Sequence, residues 1–238
     1  MQNSIFGACL IVVPYKGSQP PYPLSASFFS HQNLPDMKKV SLPLCILFLF
    51  SFTLPADELS KKDRKFAQTS LEETRDDLKN TIAGLSEEQF NFKPGPDRWS
   101  VKECLQHIAA AETQMWQTFD QLTKAAANPD KRAEIKMSDE QILKTITDRS
   151  FKATAPESMR PVTSPYQTAL DAWNGFLAER DKRIKQVKNM KADLRNHVTQ
   201  TPLGWIDSFQ WILFISGHSN RHTQQIAEVM ADANFPKN

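Results

Sequence analysis

A chain of 238 residues is long enough for one or two domains, and 29 Lys and Arg against 27 Asp and Glu leave a formal charge of only +2. Residues 1–56 contribute Lys16, Lys38, Lys39 and Asp36, so the remainder holds 26 basic and 26 acidic side chains. A neutral body gives no electrostatic basis for binding nucleic acid.

Residues 1–36, with Pro14, Pro20, Pro21, Pro23 and Pro35 and no periodicity, read as disordered or as an upstream extension before a start at Met37. From Met37, two lysines, a short apolar core and a small residue at Ala56 before Asp57-Glu58 form the pattern of a signal peptide over 37–56. The charge-free run from Val40 to Ala56 is 17 residues with two prolines. A span needs about 20, so cleavage is expected in place of anchoring, with no stable membrane span afterwards. Leu44 before Cys45 is not the small residue of a lipoprotein site. The expected location is periplasmic or extracellular. Cys9 and Cys45 go with the leader, and Cys104, left alone, has no partner for an intramolecular disulfide.

The rest, residues 57–238, reads as one helical domain. Phe66, Leu71, Leu78, Ile82 and Leu85 recur at helical spacing from Ser60, and Gly84 with Ser86-Glu-Glu-Gln89 marks a break and a further turn. After the Pro94-Gly95-Pro96-Asp97 loop, Ser100 and Glu103 form the start signal of a second helix, expected to reach Ala127. Its inner face carries Cys104, His107, Ile108, Ala111 and Met115.

A long connection follows, with a short helix opened by Ser138 and then Pro156, Pro161 and Pro165. Ser164, Pro165 and Gln167 predict the start of a third long helix, with Leu170, Trp173, Leu177, Ile184 and Val187 inward. Its Glu179, Arg180, Lys182, Arg183 and Lys185 are expected on a solvated face. Asp207 and Gln210 then open the last helix. With no convincing strand, the fold class is all-α: a four-helix bundle with a long crossover between helices two and three.

In the last helix His218 and His222 stand four residues apart, on a face shared with Trp211, Phe214, Ile215, Gln225, Ile226 and Val229. Hydrogen bonds can satisfy a buried imidazole, so the pair alone leaves metal binding open. His107 supplies a third inward nitrogen. If the two faces meet, three neutral donors suit a divalent transition metal such as zinc or nickel, and three ligands leave a position open. Cys104 as a fourth ligand and Glu103 in support of an imidazole are both better explained by packing and capping. Gln225, one turn beyond His222, is the candidate to support the ligands from behind, whereas Asn220 and Arg221 point off that face. His197 reads as a loop histidine. Ser219 stands where a His-Glu-x-x-His protease has its glutamate, so that arrangement is absent.

Trp99-Ser-Val-Lys-Glu-Cys-Leu-Gln-His107, Leu203-Gly204, His218-Ser-Asn-Arg-His222-Thr-Gln-Gln225-Ile and Phe235-Pro236, in that order, resemble the DinB-like (YfiT-type) metalloenzyme family over roughly residues 58–236. The resemblance implies a four-helix bundle and a divalent metal on three histidines, here His107, His218 and His222. It also implies a small-molecule substrate, since characterised relatives include transferases and isomerases that use low-molecular-weight thiols such as bacillithiol or mycothiol. Two readings follow: an exported metal-dependent hydrolase or thiol transferase acting through a water or thiol at the open position, and a non-catalytic metal- or ligand-binding bundle. A homodimer through an exposed bundle face is compatible with either.

Overall fold

The helices begin where a short polar side chain takes up a free backbone donor of the first turn. Ser60 accepts from the Asp63 amide, and the pairs Ser86/Gln89, Ser100/Glu103, Ser138/Gln141, Thr168/Asp171 and Asp207/Gln210 close reciprocal capping boxes. They open, in order, α1 (Lys61–Ile82), α2 (Glu87–Asn91), α3 (Val101–Leu122), α4 (Asp139–Thr147), α5 (Ala169–Lys188) and α6 (Ser208–Met230). The computed structural model describes residues 58–150 and 154–237; the expected leader at 37–56 and the segment before it lie outside the described residues.

Four long helices form the bundle: α1 and α3 each pack on both α5 and α6, and α4 packs on α6. The crossover from α3 to α5 contains α4 and three 3-10 turns, as a long return connection should. Among the described residues no helix is long and apolar enough to cross a membrane. One close approach fixes α4 on α6: a Cβ at Gly217 would lie 2.9 Å from Ile146 Cγ2.

Several expectations need correction. The third long helix starts at Ala169, because Thr168 with Asp171 forms the capping box while Ser164 Oγ accepts from the Tyr166 amide in a turn. The second ends at Leu122, five residues before Ala127. Thr123 takes the C-cap, and Asn128 is held away by two hydrogen bonds between its side chain and the backbone of Val198. A short hairpin, β1 (Val198–Thr201) and β2 (Gly204–Asp207), turns through Pro202-Leu203 with Gly204 at φ 102°. Four-residue strands are too short to show an alternating pattern, yet this hairpin delivers Asp207 to the start of α6.

The face of α5 is also rotated from the expected one. Leu170 is 65% exposed, while Ala169, Ala172, Phe176, Arg180, Arg183, Ile184 and Val187 are buried. Two of the arginines expected in solvent are therefore inside. Arg183 binds Asp120 and Glu179 and lies over the Trp116 ring. Arg180 makes a bidentate pair with Glu112 at 2.7 and 2.8 Å and also donates to Leu71 O, Thr74 Oγ1 and Ser219 Oγ. Such a guanidinium is tolerated inside because every donor direction used meets an acceptor.

This polar layer falls where one apolar cluster gives way to another. Leu71, Met115, Ile184 and Ile215 belong to the first, and Leu78, Ile108, Phe176 and Ile226 to the second. Glu112 lies between Ile108 and Met115 in α3, and Ser219 between the two clusters in α6, one residue from His218. The layer thus sets the register of the helices that carry the histidines.

Candidate metal centre

Capping at Ser100 and at Asp207 fixes where α3 and α6 begin, and with it the direction each later side chain faces. Seven residues into α3, His107 points inward and is buried; in α6, His218 and His222 point to the same spot. Nε2 of His107 lies 3.2 Å from Nε2 of His218 and 3.1 Å from Nε2 of His222. One candidate ligand atom from each residue falls within 4.8 Å of the others, and no carboxylate or thiol joins the group among the described residues. The three predicted residues are brought together.

The protons decide what such a cluster can do. His107 Nδ1 is 2.8 Å from the Met159 carbonyl, which only accepts, so Nδ1 carries the proton and Nε2 a lone pair. His222 Nδ1 is 2.9 Å from Gln225 Oε1, which imposes the same tautomer. With those tautomers two neutral imidazoles face each other lone pair to lone pair across 3.1 Å, an arrangement that a cation between them would stabilise. A shared proton is disfavoured: burial lowers the pKa of all three imidazoles, and carries those of His218 and His222 well below the ordinary value, with the neighbouring histidines adding to it. Nitrogens bound to one divalent ion at about 2.0–2.1 Å and near-tetrahedral angles stand about 3.3 Å apart, close to the spacing seen. The donor set fits a divalent transition metal.

A model of the DinB superfamily matches residues 70–226 of the chain. The chain belongs to the DinB superfamily. Over 163 residues it is 28% identical to the uncharacterized protein YuaE of Bacillus subtilis (strain 168), covering 66% of this chain and 93% of that one. Its fold resembles the structure of YfiT from Bacillus subtilis, described as a probable metal-dependent hydrolase with an unusual four-helix bundle topology. That likeness has a TM-score of 0.50 at 14% identity and covers 76% of this chain and 94% of YfiT.

In this DinB-superfamily protein the histidines line a cleft of about 940 Å³. Gln225 is where the sequence puts it, bonded to His222. Cys104 is fully buried in the second apolar cluster, where burial pushes its thiol pKa up, and it is not a ligand. Glu103 caps Ser100 and pairs with Lys93. His197 is partly buried, with Nδ1 3.0 Å from the Leu122 carbonyl.

Three contributors were not legible in the sequence. Trp99, present in the motif before His107 but given no role there, forms the wall behind the site, its ring centroid 5.0 Å from that of His107 and stacked on His222 at 6.1 Å and 24°. Met159 contributes a main-chain carbonyl, for which sequence carries no signal. Arg221, expected off the histidine face, is buried in the cleft lining and donates to the carbonyls of Ile146 and Asp148 at the end of α4. Its long side chain turns back from a position whose Cα direction alone points elsewhere.

Proposed function

We propose that this protein is a divalent-metal-dependent enzyme, a hydrolase or a thiol-using transferase of small molecules, with the metal on His107, His218 and His222. The observation that carries the reading is the convergence of three imidazoles from two helices, with Nε2 of His107 3.1 and 3.2 Å from those of His222 and His218, the spacing of ligands on one ion. Three imidazole nitrogens favour zinc or nickel over calcium or magnesium. The description of YfiT as a probable metal-dependent hydrolase supports the same direction.

When bound, a divalent ion at such a site acts as a Lewis acid and lowers the pKa of a water or thiol at its open position. The chain's own groups prepare that chemistry. The Met159 carbonyl and Gln225 each hold an Nδ1 proton, so Nε2 stays bare and aimed inward. Trp99 covers two of the rings and keeps bulk water from their backs. The donor set is neutral, so it leaves the charge of the ion undiminished for the substrate.

The test is a cobalt-substituted sample followed by its visible spectrum during titration with a small thiol. A saturable change in the d–d bands is expected of an open position. Tightly bound cobalt with an unchanged spectrum would overturn the catalytic reading and favour a closed, non-catalytic site. Export through the 37–56 segment belongs to the same proposal; intact-mass analysis should find a product beginning close to Asp57, and an uncleaved product would contradict it.

A further inference from the structure

The cleft above the histidines has a definite chemical character. Trp99 and Phe214, the latter stacked on Trp211 at 5.3 Å and 6°, give it apolar walls. Four arginines also line it, Arg98, Arg149, Arg160 and Arg221, against only two carboxylates among the described lining residues, Asp97 and Glu228. They come from four separate segments: the loop before α3, the end of α4, the crossover and α6.

Carboxylates offset most of this excess and leave Arg98 over. Glu228 is engaged by both Nε and Nη2 of Arg149, at 3.0 and 2.7 Å. Arg149 first, and the charges of Arg98 and Arg221 after it, hold the Glu228 carboxyl below its usual range, while Arg221 also faces the Asp148 carboxylate. Asp97 is exposed at the rim. Arg160 is paired with Glu157. Arg98 is exposed, makes no ion pair among the described residues, and directly precedes Trp99, whose ring lies on His222. Below them, three neutral donors leave the full charge of a bound ion uncompensated. The floor and the rim of the cleft carry the same sign.

We propose that the cleft takes a small organic anion with an apolar body, its carboxylate or other oxyanion bound by Arg98 beside the Arg149–Glu228 pair and its opposite end at the histidines. This rests on the metal reading above. The planar guanidinium matches an oxyanion in two-point geometry.

The probes are paired alkyl hydroxamates of equal length, with neutral or carboxylate ends (butyro- and succinic monohydroxamate, and longer homologues), titrated calorimetrically into the zinc-loaded protein. At least one anionic member should bind about tenfold more tightly than its neutral partner, as a charge-assisted contact supplies, with the preference shrinking as salt rises. Arg98→Gln should bring the pair to within a factor of about two to three at unchanged zinc content, which separates a lost contact from a lost site. Equal affinity of every pair in the zinc-loaded wild type overturns this proposal alone, as does a preference that survives in Arg98→Gln. A protein that retains no zinc and binds neither class overturns the metal reading and this proposal together.

Discussion

Replacing Arg180 with methionine removes the centre of the buried polar layer and leaves Glu112 as a carboxylate without its partner. The two side chains are 0% and 1% exposed, so water cannot compensate the loss. Breaking a buried pair from one side costs about 3–5 kcal/mol. For a domain of this size about 1 kcal/mol moves the melting point by roughly 2–4 °C, so Arg180→Met should melt about 6–20 °C lower than the wild type. The partner change Glu112→Gln removes the stranded charge and keeps an amide oxygen for the Trp116 indole, which now donates to Glu112 at 2.8 Å. The double variant Glu112→Gln/Arg180→Met should therefore recover part of the loss and lie within about 2 kcal/mol of the wild type. Thermal unfolding followed by far-UV circular dichroism, at fixed metal and protein concentration, reads both effects. An Arg180→Met variant within about 1 kcal/mol of wild type, or a double variant no better than the single one, would refute the claim that this pair is desolvated and mutually dependent.

Gln225→Ala frees the Nδ1 proton of His222 from its acceptor, and zinc affinity measured by chelator competition should fall about 10- to 100-fold with the fold intact; an unchanged affinity would deny Gln225 its supporting part. In metal-free protein the imidazoles of His218 and His222 have folded pKa values well below the unfolded one, chiefly through burial. The unfolded chain then binds more protons, so that share of stability is present above about pH 6.5 and is lost as pH falls toward the lower folded values. Urea unfolding across pH 7.5 to 5 should show the decline in wild type, and a His218→Leu/His222→Leu variant should show less of it; parallel profiles would contradict the assignment. Gly217→Ala should destabilise by about 1–3 kcal/mol, because the added methyl meets Ile146 at 2.9 Å and α4 must shift; a neutral effect in chemical denaturation would show that α4 is loosely held.

Much of this molecule follows from local signals. Short polar caps with Gln or Glu three residues on locate the starts of α2, α3, α4 and α6 because satisfying the first-turn donors is a local requirement. The inward histidines follow from spacing on helices whose start is known. What stayed hidden depends on partners far along the chain. Arg180 looks like any surface arginine until Glu112, 68 residues away, is seen beside it. Trp99 reads as a packing residue until α6 brings His222 against its ring. The Met159 carbonyl is main chain and leaves no mark in the sequence, and Thr168 outcompeted Ser164 as a cap because two adequate signals stood four residues apart.

The central claim is that three imidazoles from α3 and α6 hold one divalent ion. Elemental analysis of the purified full chain, beside His107→Ala and His222→Ala, tests it most directly. About one equivalent of transition metal is expected in the wild type and a small residual fraction in each variant, since loss of one of three ligands removes much of the binding. Metal retained equally in all three samples, or no metal in a wild type loaded with zinc or nickel, would contradict the account.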